Sequence, residues 1–218
     1  ILSLYLSACI NFINDNKNNF KENAIVVDCC GVKTKICSVI PELAVKHRFK
    51  FLGGHPMAGT EKSGYEASFS GLFNNSTMLL CPNNTINNFD LEFFEYFFKK
   101  IGFKQTIITT HEKHDEIIAH TSQLAHIISS AYIKSSHNNL DFSAGSFKDM
   151  TRVSRMNEKL WNEAFLENRD NLCKDIQSLI DNLNDYKNAL QNNDKNTLSF
   201  LIEAGNIEKN KFDDRSKD

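Results

Sequence analysis

Phe49–Glu61 reads FKFLGGHPMAGTE, and this stretch decides the fold. An apolar pair, Phe51-Leu52, runs into Gly53-Gly54 and then His55-Pro56. Adjacent glycines at the end of a strand mark the close approach of another backbone or a ligand. Pro56 offers no N–H to a ladder and biases His55 toward an extended backbone. His55 is therefore predicted where a strand stops and a loop begins. In open α/β sheets that carboxyl end is where ligands bind. Gly59 allows a tight turn before Glu61, and a histidine near a carboxylate can accept a proton near neutral pH.

The same alternation extends to both sides. Ala24–Cys29 (AIVVDC) is a continuous β-branched run, as expected of a strand buried on both faces. Ile1–Leu6, Thr77–Cys81 and Lys104–Ile108 are further strand candidates. Helices are predicted over Ser7–Phe20, Thr34–Ile40 (ending near Pro41) and Phe89–Ile101. Strands alternating with helices predict a parallel sheet with crossover connections, a partial Rossmann-like α/β domain. After Thr110 the pattern turns all-helical, and the domain boundary is placed there. Helices are expected over His111–Ser135, with a Thr109/Glu112 capping box, then Ser146–Ser154 capped by Ser146 and Asp149, and Glu158–Glu167. Arg169–Gln191 carries Leu172, Ile176, Leu179, Leu183, Tyr186 and Leu190 in a heptad-like seam. Asp194–Ala204 is the last helix expected, and the charged tail from Glu208 to Asp218 reads as disordered.

Composition narrows the function classes. The 218 residues are 41% hydrophobic with a net charge of −2, enough for a core and without a nucleic-acid footprint. The six cysteines include no C-x-x-C pair, so neither a metal site nor a disulfide framework is expected, and a reducing, cytoplasmic setting fits. Neither a membrane-spanning run nor a signal-peptide pattern is read. The chain opens on Ile1 rather than Met, which predicts a piece of a longer protein.

The string from His55 to Gly64, HPMAGTEKSG, resembles the signature of the prephenate/arogenate dehydrogenases of tyrosine biosynthesis. Three other segments extend the resemblance. Asp28–Lys33 (DCCGVK) is similar to the family's Asp-x-x-Ser/Gly-x-Lys. Thr121–His126 (TSQLAH) is similar to Ser-His-Leu-Pro-His, with Gln123 in place of the first histidine and Ala125 in place of the proline. Ala144–Arg152 (AGSFKDMTR) is similar to Gly-x-Phe-x-Asp-x-Thr-Arg.

The resemblance implies a dinucleotide-binding domain followed by a helical substrate and dimerisation domain over residues 111–205, with a polar tail beyond. It implies oxidative decarboxylation of prephenate or arogenate, hydride transfer to NAD or NADP, and a homodimer. By the same resemblance His55 accepts the ring hydroxyl's proton and Glu61 helps arrange the site. Gly31, Thr60, Ser122, Gln123, His126, Gly145, Arg152 and Trp161 line the substrate site, and Asp28, Lys33 and Gly54 serve the cofactor. Arg152 suits a carboxylate because two parallel N–H bonds match its two oxygens.

Plainer readings stand beside these. Lys33 would be an exposed helix-start lysine, His126 a core histidine, Arg152 a surface partner of Asp149, and Trp161 a core tryptophan. The Gly-rich fingerprint G-x-G-x-x-G is not in the chain. Roughly 60 or more residues, about two βαβ-type units, are therefore expected before Ile1. The competing readings are a catalytically dead helical dimerisation module and another Rossmann oxidoreductase with a helical second domain.

Overall fold

The computed structural model describes residues 1–59, 64–135 and 142–215. Four strands, β1 (Ile25–Val27), β2 (Lys50–Pro56), β3 (Thr77–Cys81) and β4 (Gln105–Ile108), form one sheet in the order β1-β2-β3-β4. Helices α1 (Leu6–Asn16), α2 (Thr34–Lys46) and α3 (Asn88–Lys100) are interleaved with them.

Successive residues of a strand point to opposite faces, and the two core clusters follow that rule. Val26 and Phe51 face α1 and α2, packing with Cys9, Ile13, Ile36 and Ile40. Val27 and Leu52 face the other way and pack with Met78, Leu80, Phe94, Phe98 and Phe103. Both faces are covered, so the strands are apolar without alternation.

The sheet is not wholly parallel. β1–β2 and β3–β4 are parallel, but β2–β3 is antiparallel, with His55 opposite Leu79. A parallel return needs a crossover, generally a helix. The described part of the β2–β3 connection contains only a 3-10 turn, Tyr65–Ala67, so the chain comes back antiparallel.

The expected first strand shrinks to one parallel bridge, Leu2 to Asp28. Leu6 already belongs to α1, because the Glu163 carboxylate accepts the N–H of Leu6 (3.0 Å) and Ser7 (2.8 Å) and starts the helix there. Pro41 does not end α2, which continues to Lys46. An internal proline costs roughly 3 kcal/mol. Continuing the helix buries Ile40 and Ala44 completely, which offsets it.

The helical part comprises α4 (His111–Ile118), a π-helical turn (Ala119–Gln123), α5 (Leu124–Lys134), α6 (Gly145–Thr151), α7 (Glu158–Glu167), α8 (Arg169–Gln191) and α9 (Lys195–Arg215). No strand follows Ile108 among the described residues. Thr110, not a Thr109/Glu112 box, caps α4 by accepting from Lys113 N. Ala144 stands at the N-cap of α6, so Ser146 and Asp149 do not cap it. Asp194 caps α9 through Asn196 N (3.1 Å) and Thr197 N (3.0 Å). The tail expected to be disordered from Glu208 is helical to Arg215, supported by the Lys209–Asp213 and Lys211–Glu208 pairs.

Packing divides the chain into two units, Ile1–Leu172 and Cys173–Asp218. The second unit is the rest of α8 with α9, and it exposes Leu183, Leu190, Phe200 and Phe212. Among the described residues no helix is long and apolar enough to cross a membrane.

Candidate active site

The loop after β1 is built around Asp28. Its Oδ2 accepts from Cys30 N (2.9 Å) and pairs with the Lys33 ammonium, and its Oδ1 accepts from Gly54 N (3.1 Å). Both side chains of the ion pair are fully buried. Burial alone would push the Lys33 ammonium down. The Asp28 carboxylate, with Cys30 and Cys37, more than offsets this and holds it above its ordinary value. Lys33 is thus neither an exposed lysine nor a group pointing outward.

Gly54 makes this approach possible. A Cβ there would lie 2.5 Å from Asp28 O and 2.7 Å from Met78 Cε. Burial keeps the nearby thiols protonated, Cys29 at about 11 and Cys81 at about 12, and all six cysteines are free.

This packing sets Gly31 against His55. A Cβ on Gly31 would stand 3.9 Å from His55 Nε2, leaving, among the described residues, an open side to the imidazole. On its other side His55 Nδ1 lies 2.9 Å from His114 Nε2, and His114 Nδ1 lies 2.7 Å from Asp115 Oδ1. Asp115 also accepts the N–H of Lys33 (2.8 Å) and Thr34 (2.7 Å), closing the start of α2. Burial first, then the His114 ring and the Lys33 ammonium, lower the His55 pKa to about 3, against a weaker pull from Asp115. Burial works to raise Asp115, but the bonds it accepts from His114, Thr34 and Lys33 prevail and hold it below 3.8.

Gln123 was expected to contact substrate. Instead its side chain is buried and its amide serves the protein: Oε1 accepts from Asn168 Nδ2 (2.8 Å) and Nε2 donates to Ala164 O (3.1 Å). Asn168 also donates to the main-chain oxygen of Asp115 (2.8 Å), so Gln123 braces the His55 chain from behind. His114, Asp115 and Asn168 were not singled out from sequence. The one signal was the adjacent His-Asp pair in an otherwise solvent-type helix.

A second group forms where the helix after His111 widens. Leu124 N bonds Ala119 O, five residues back, in a π-turn of the kind frequent at functional sites. His126 Nδ1 lies 2.9 Å from the Ser122 carbonyl oxygen. A carbonyl only accepts, so His126 Nδ1 carries the proton. His126 lies against Trp161, ring centroids 4.0 Å apart, and Trp161 against Phe165. In its own chain Trp161 thus packs on His126.

Gly145 opens α6 and Arg152 closes it, exposed at the C-cap. Phe147 of that helix packs on Tyr132 of α5, centroids 5.4 Å apart. Thr60 and Glu61 lie outside the described residues. Asp28, Gly31, Lys33, Gly54 and His55 are therefore brought together, and so are Ser122, His126 and Trp161. Gln123 links to the first group through Asn168.

Among the described residues no three His, Cys, Asp or Glu side chains cluster to hold a metal. For a dinucleotide the fit is partial. Asp28, Lys33 and Gly54 spend their polar groups on one another, so they shape the loop rather than offer contacts to phosphates.

A sheet covered on both faces, with a histidine at the carboxyl end of an inner strand and only helices after it among the described residues, defines an α/β protein with a helical region that follows the sheet. The family model described as prephenate dehydrogenase, nucleotide-binding domain, matches residues 1–107, and the one described as prephenate dehydrogenase, dimerization domain, matches residues 110–203. The chain belongs to the prephenate dehydrogenase family.

It is 29% identical over 186 residues to a cyclohexadienyl dehydrogenase of Zymomonas mobilis, covering 82% of this chain and 62% of that protein. It is 23% identical over 188 residues to a prephenate dehydrogenase of Bacillus subtilis, covering 83% of this chain and 50% of the relative. The chain thus spans 62% and 50% of those two curated relatives. Among solved structures, prephenate dehydrogenase from Aquifex aeolicus in complex with hydroxyphenyl propionate and NAD+ matches with a TM-score of 0.82 at 26% identity, covering 97% of this chain and 75% of that one.

Proposed function

We propose that this protein catalyses the oxidative decarboxylation of prephenate or arogenate in tyrosine biosynthesis. The observation that carries the reading is His55, half-buried at the end of β2, open beside Gly31 and braced behind by His114 and Asp115. The family membership and the Aquifex complex support it. NAD or NADP, when bound, supplies the hydride acceptor. His55 takes the proton of the ring hydroxyl as hydride leaves the carbon that bears it. The ring carboxylate departs as carbon dioxide, leaving its electron pair to complete the aromatic ring.

Arg152 binds a substrate carboxylate, and Ser122, His126, Gly145, Trp161 and Thr60 complete the pocket, with Glu61 arranging it. Asp28, Lys33 and Gly54 hold the loop on which Gly31 sits. In this reading residues 1–110 belong to a dinucleotide-binding domain and 111–205 to a helical domain that forms a homodimer in the cytoplasm. The name of the second matching family model and the uncovered apolar residues of α8 and α9 support the dimer. Steady-state assays of the full-length protein with prephenate and arogenate, each with NAD and NADP, test the reading. Reduced cofactor should appear with at least one pair. No turnover with any of the four would overturn it.

A further inference from the structure

We infer that His114 and Asp115 are positioning residues that fix the tautomer of His55, so that Nε2 presents its lone pair on the open side beside Gly31. The catalytic importance of that lone pair rests on the function proposed above, but the tautomer itself does not.

Asp115 already receives two backbone N–H groups at the start of α2, and an ionised carboxylate can only accept. The 2.7 Å contact to His114 Nδ1 therefore places a proton on Nδ1. In the neutral ring that leaves His114 Nε2 as an acceptor. The 2.9 Å contact from His114 Nε2 to His55 Nδ1 then needs a proton on His55 Nδ1. One proton on a neutral ring leaves Nε2 bare. Nε2 is the nitrogen with open space beside it, where a Cβ on Gly31 would be 3.9 Å away.

An unconstrained neutral histidine prefers the opposite arrangement, with the proton on Nε2, and would offer substrate a donor. The His114 and Asp115 side chains are 0% and 2% exposed, so water does not compete for these bonds. When Nε2 takes a proton, His114 holds the Nδ1–H of the resulting imidazolium, and the Asp115 carboxylate faces the new charge through His114. The second-ligand logic is that of other sites where the bond made by one ring nitrogen decides the state of the other.

The test is nitrogen NMR of the full-length protein labelled in its histidine rings, at pH 8, with and without His114→Phe. In the wild type His55 should show a protonated Nδ1 and a bare Nε2. A protonated Nε2 there would overturn the inference. His114→Phe removes the acceptor, so His55 should move to the Nε2–H form and kcat should fall roughly tenfold or more with KM little changed. His114→Gln, whose Oε1 can accept from Nδ1–H, should recover most of that loss. An unchanged His55 spectrum in a folded His114→Phe would also overturn it. Should His114→Phe not fold, the wild-type spectrum still decides. A wild-type spectrum as expected, from a protein inactive on both substrates, would uphold the tautomer and sink the function.

Discussion

Asp115, on the first helix after the sheet, accepts the backbone N–H of Thr34 at 2.7 Å and so caps α2 from outside it. Glu163 of α7 does the same for α1 through Leu6 and Ser7. Helix N-termini at the carboxyl edge of a sheet attract anions. Here both are taken by the protein's own carboxylates, which tie α4 to the start of α2 and α7 to the start of α1.

Asp115→Asn should therefore weaken the fold by about 1–3 kcal/mol, seen as a lower midpoint in thermal or urea unfolding. The folded carboxyl is held below its ordinary 3.8. The stability it contributes is present above that value and is lost as pH falls through the folded pKa. Wild type and variant should converge in stability in acid, and a gap unchanged down to pH 2 would contradict the cap.

Gly54→Ala should be among the most damaging single methyl additions in the sheet. The added carbon meets Asp28 O at 2.5 Å, a backbone atom that cannot swing away, and Val27 Cγ1 at 3.1 Å. Overpacking of this kind costs roughly 1–3 kcal/mol or more. Equilibrium unfolding of the variant would show it, together with loss of the Asp28–Gly54 bond.

Gly31→Ser, by contrast, should be nearly neutral for stability. Among the described residues a Cβ there has only His55 Nε2 within 4 Å, at an ordinary contact distance. The serine hydroxyl should reach the open side of His55. Its thermal midpoint should match wild type, and the change should appear in KM or kcat instead.

On the proposed function, His55→Asn keeps a hydrogen-bonding group but loses the base, so kcat should fall roughly 10²–10⁴-fold with substrate affinity little changed. The sequence alone predicted a histidine titrating near neutrality. The structure places its pKa at about 3, chiefly through burial. No limb from His55 is then expected in the rate between pH 5 and 8. Stability should show the shift instead. The unfolded ring takes a proton below about pH 6.5 and the folded ring does not, so this contribution is lost as pH falls from 6.5 toward 3. Unfolding of wild type and His55→Asn compared at pH 7 and pH 4 should show the wild type losing more.

On the proposed function, Arg152→Gln removes one charge-assisted bond to a substrate carboxylate, worth on the order of 1.5–3 kcal/mol, and should mainly raise KM. Because Arg152 is exposed at the end of α6, the unfolding midpoint should not move. A fall in kcat with KM unchanged would remove Arg152 from substrate binding.

The sequence by itself determined the sheet-then-helices order, the strand at Thr77–Cys81, the helix Arg169–Gln191 and the place of His55 at a strand's end. Each is written in local pattern: β-branched runs, a heptad-like stripe, Gly-Gly before His-Pro. Tertiary structure alone decided the antiparallel β2–β3 pair, because register depends on the path of a connection. It also decided that α2 runs through Pro41, since burial of Ile40 and Ala44 outweighs a local preference. The conversion of Gln123 and Lys33 from ligand groups to internal braces, and the chain from His55 through His114 to Asp115, lie in the same class. His55 and His114 are 59 apart in sequence. A hydrogen bond between side chains so far separated has no local signature; it exists only once folding excludes water and leaves each polar group to find its partner.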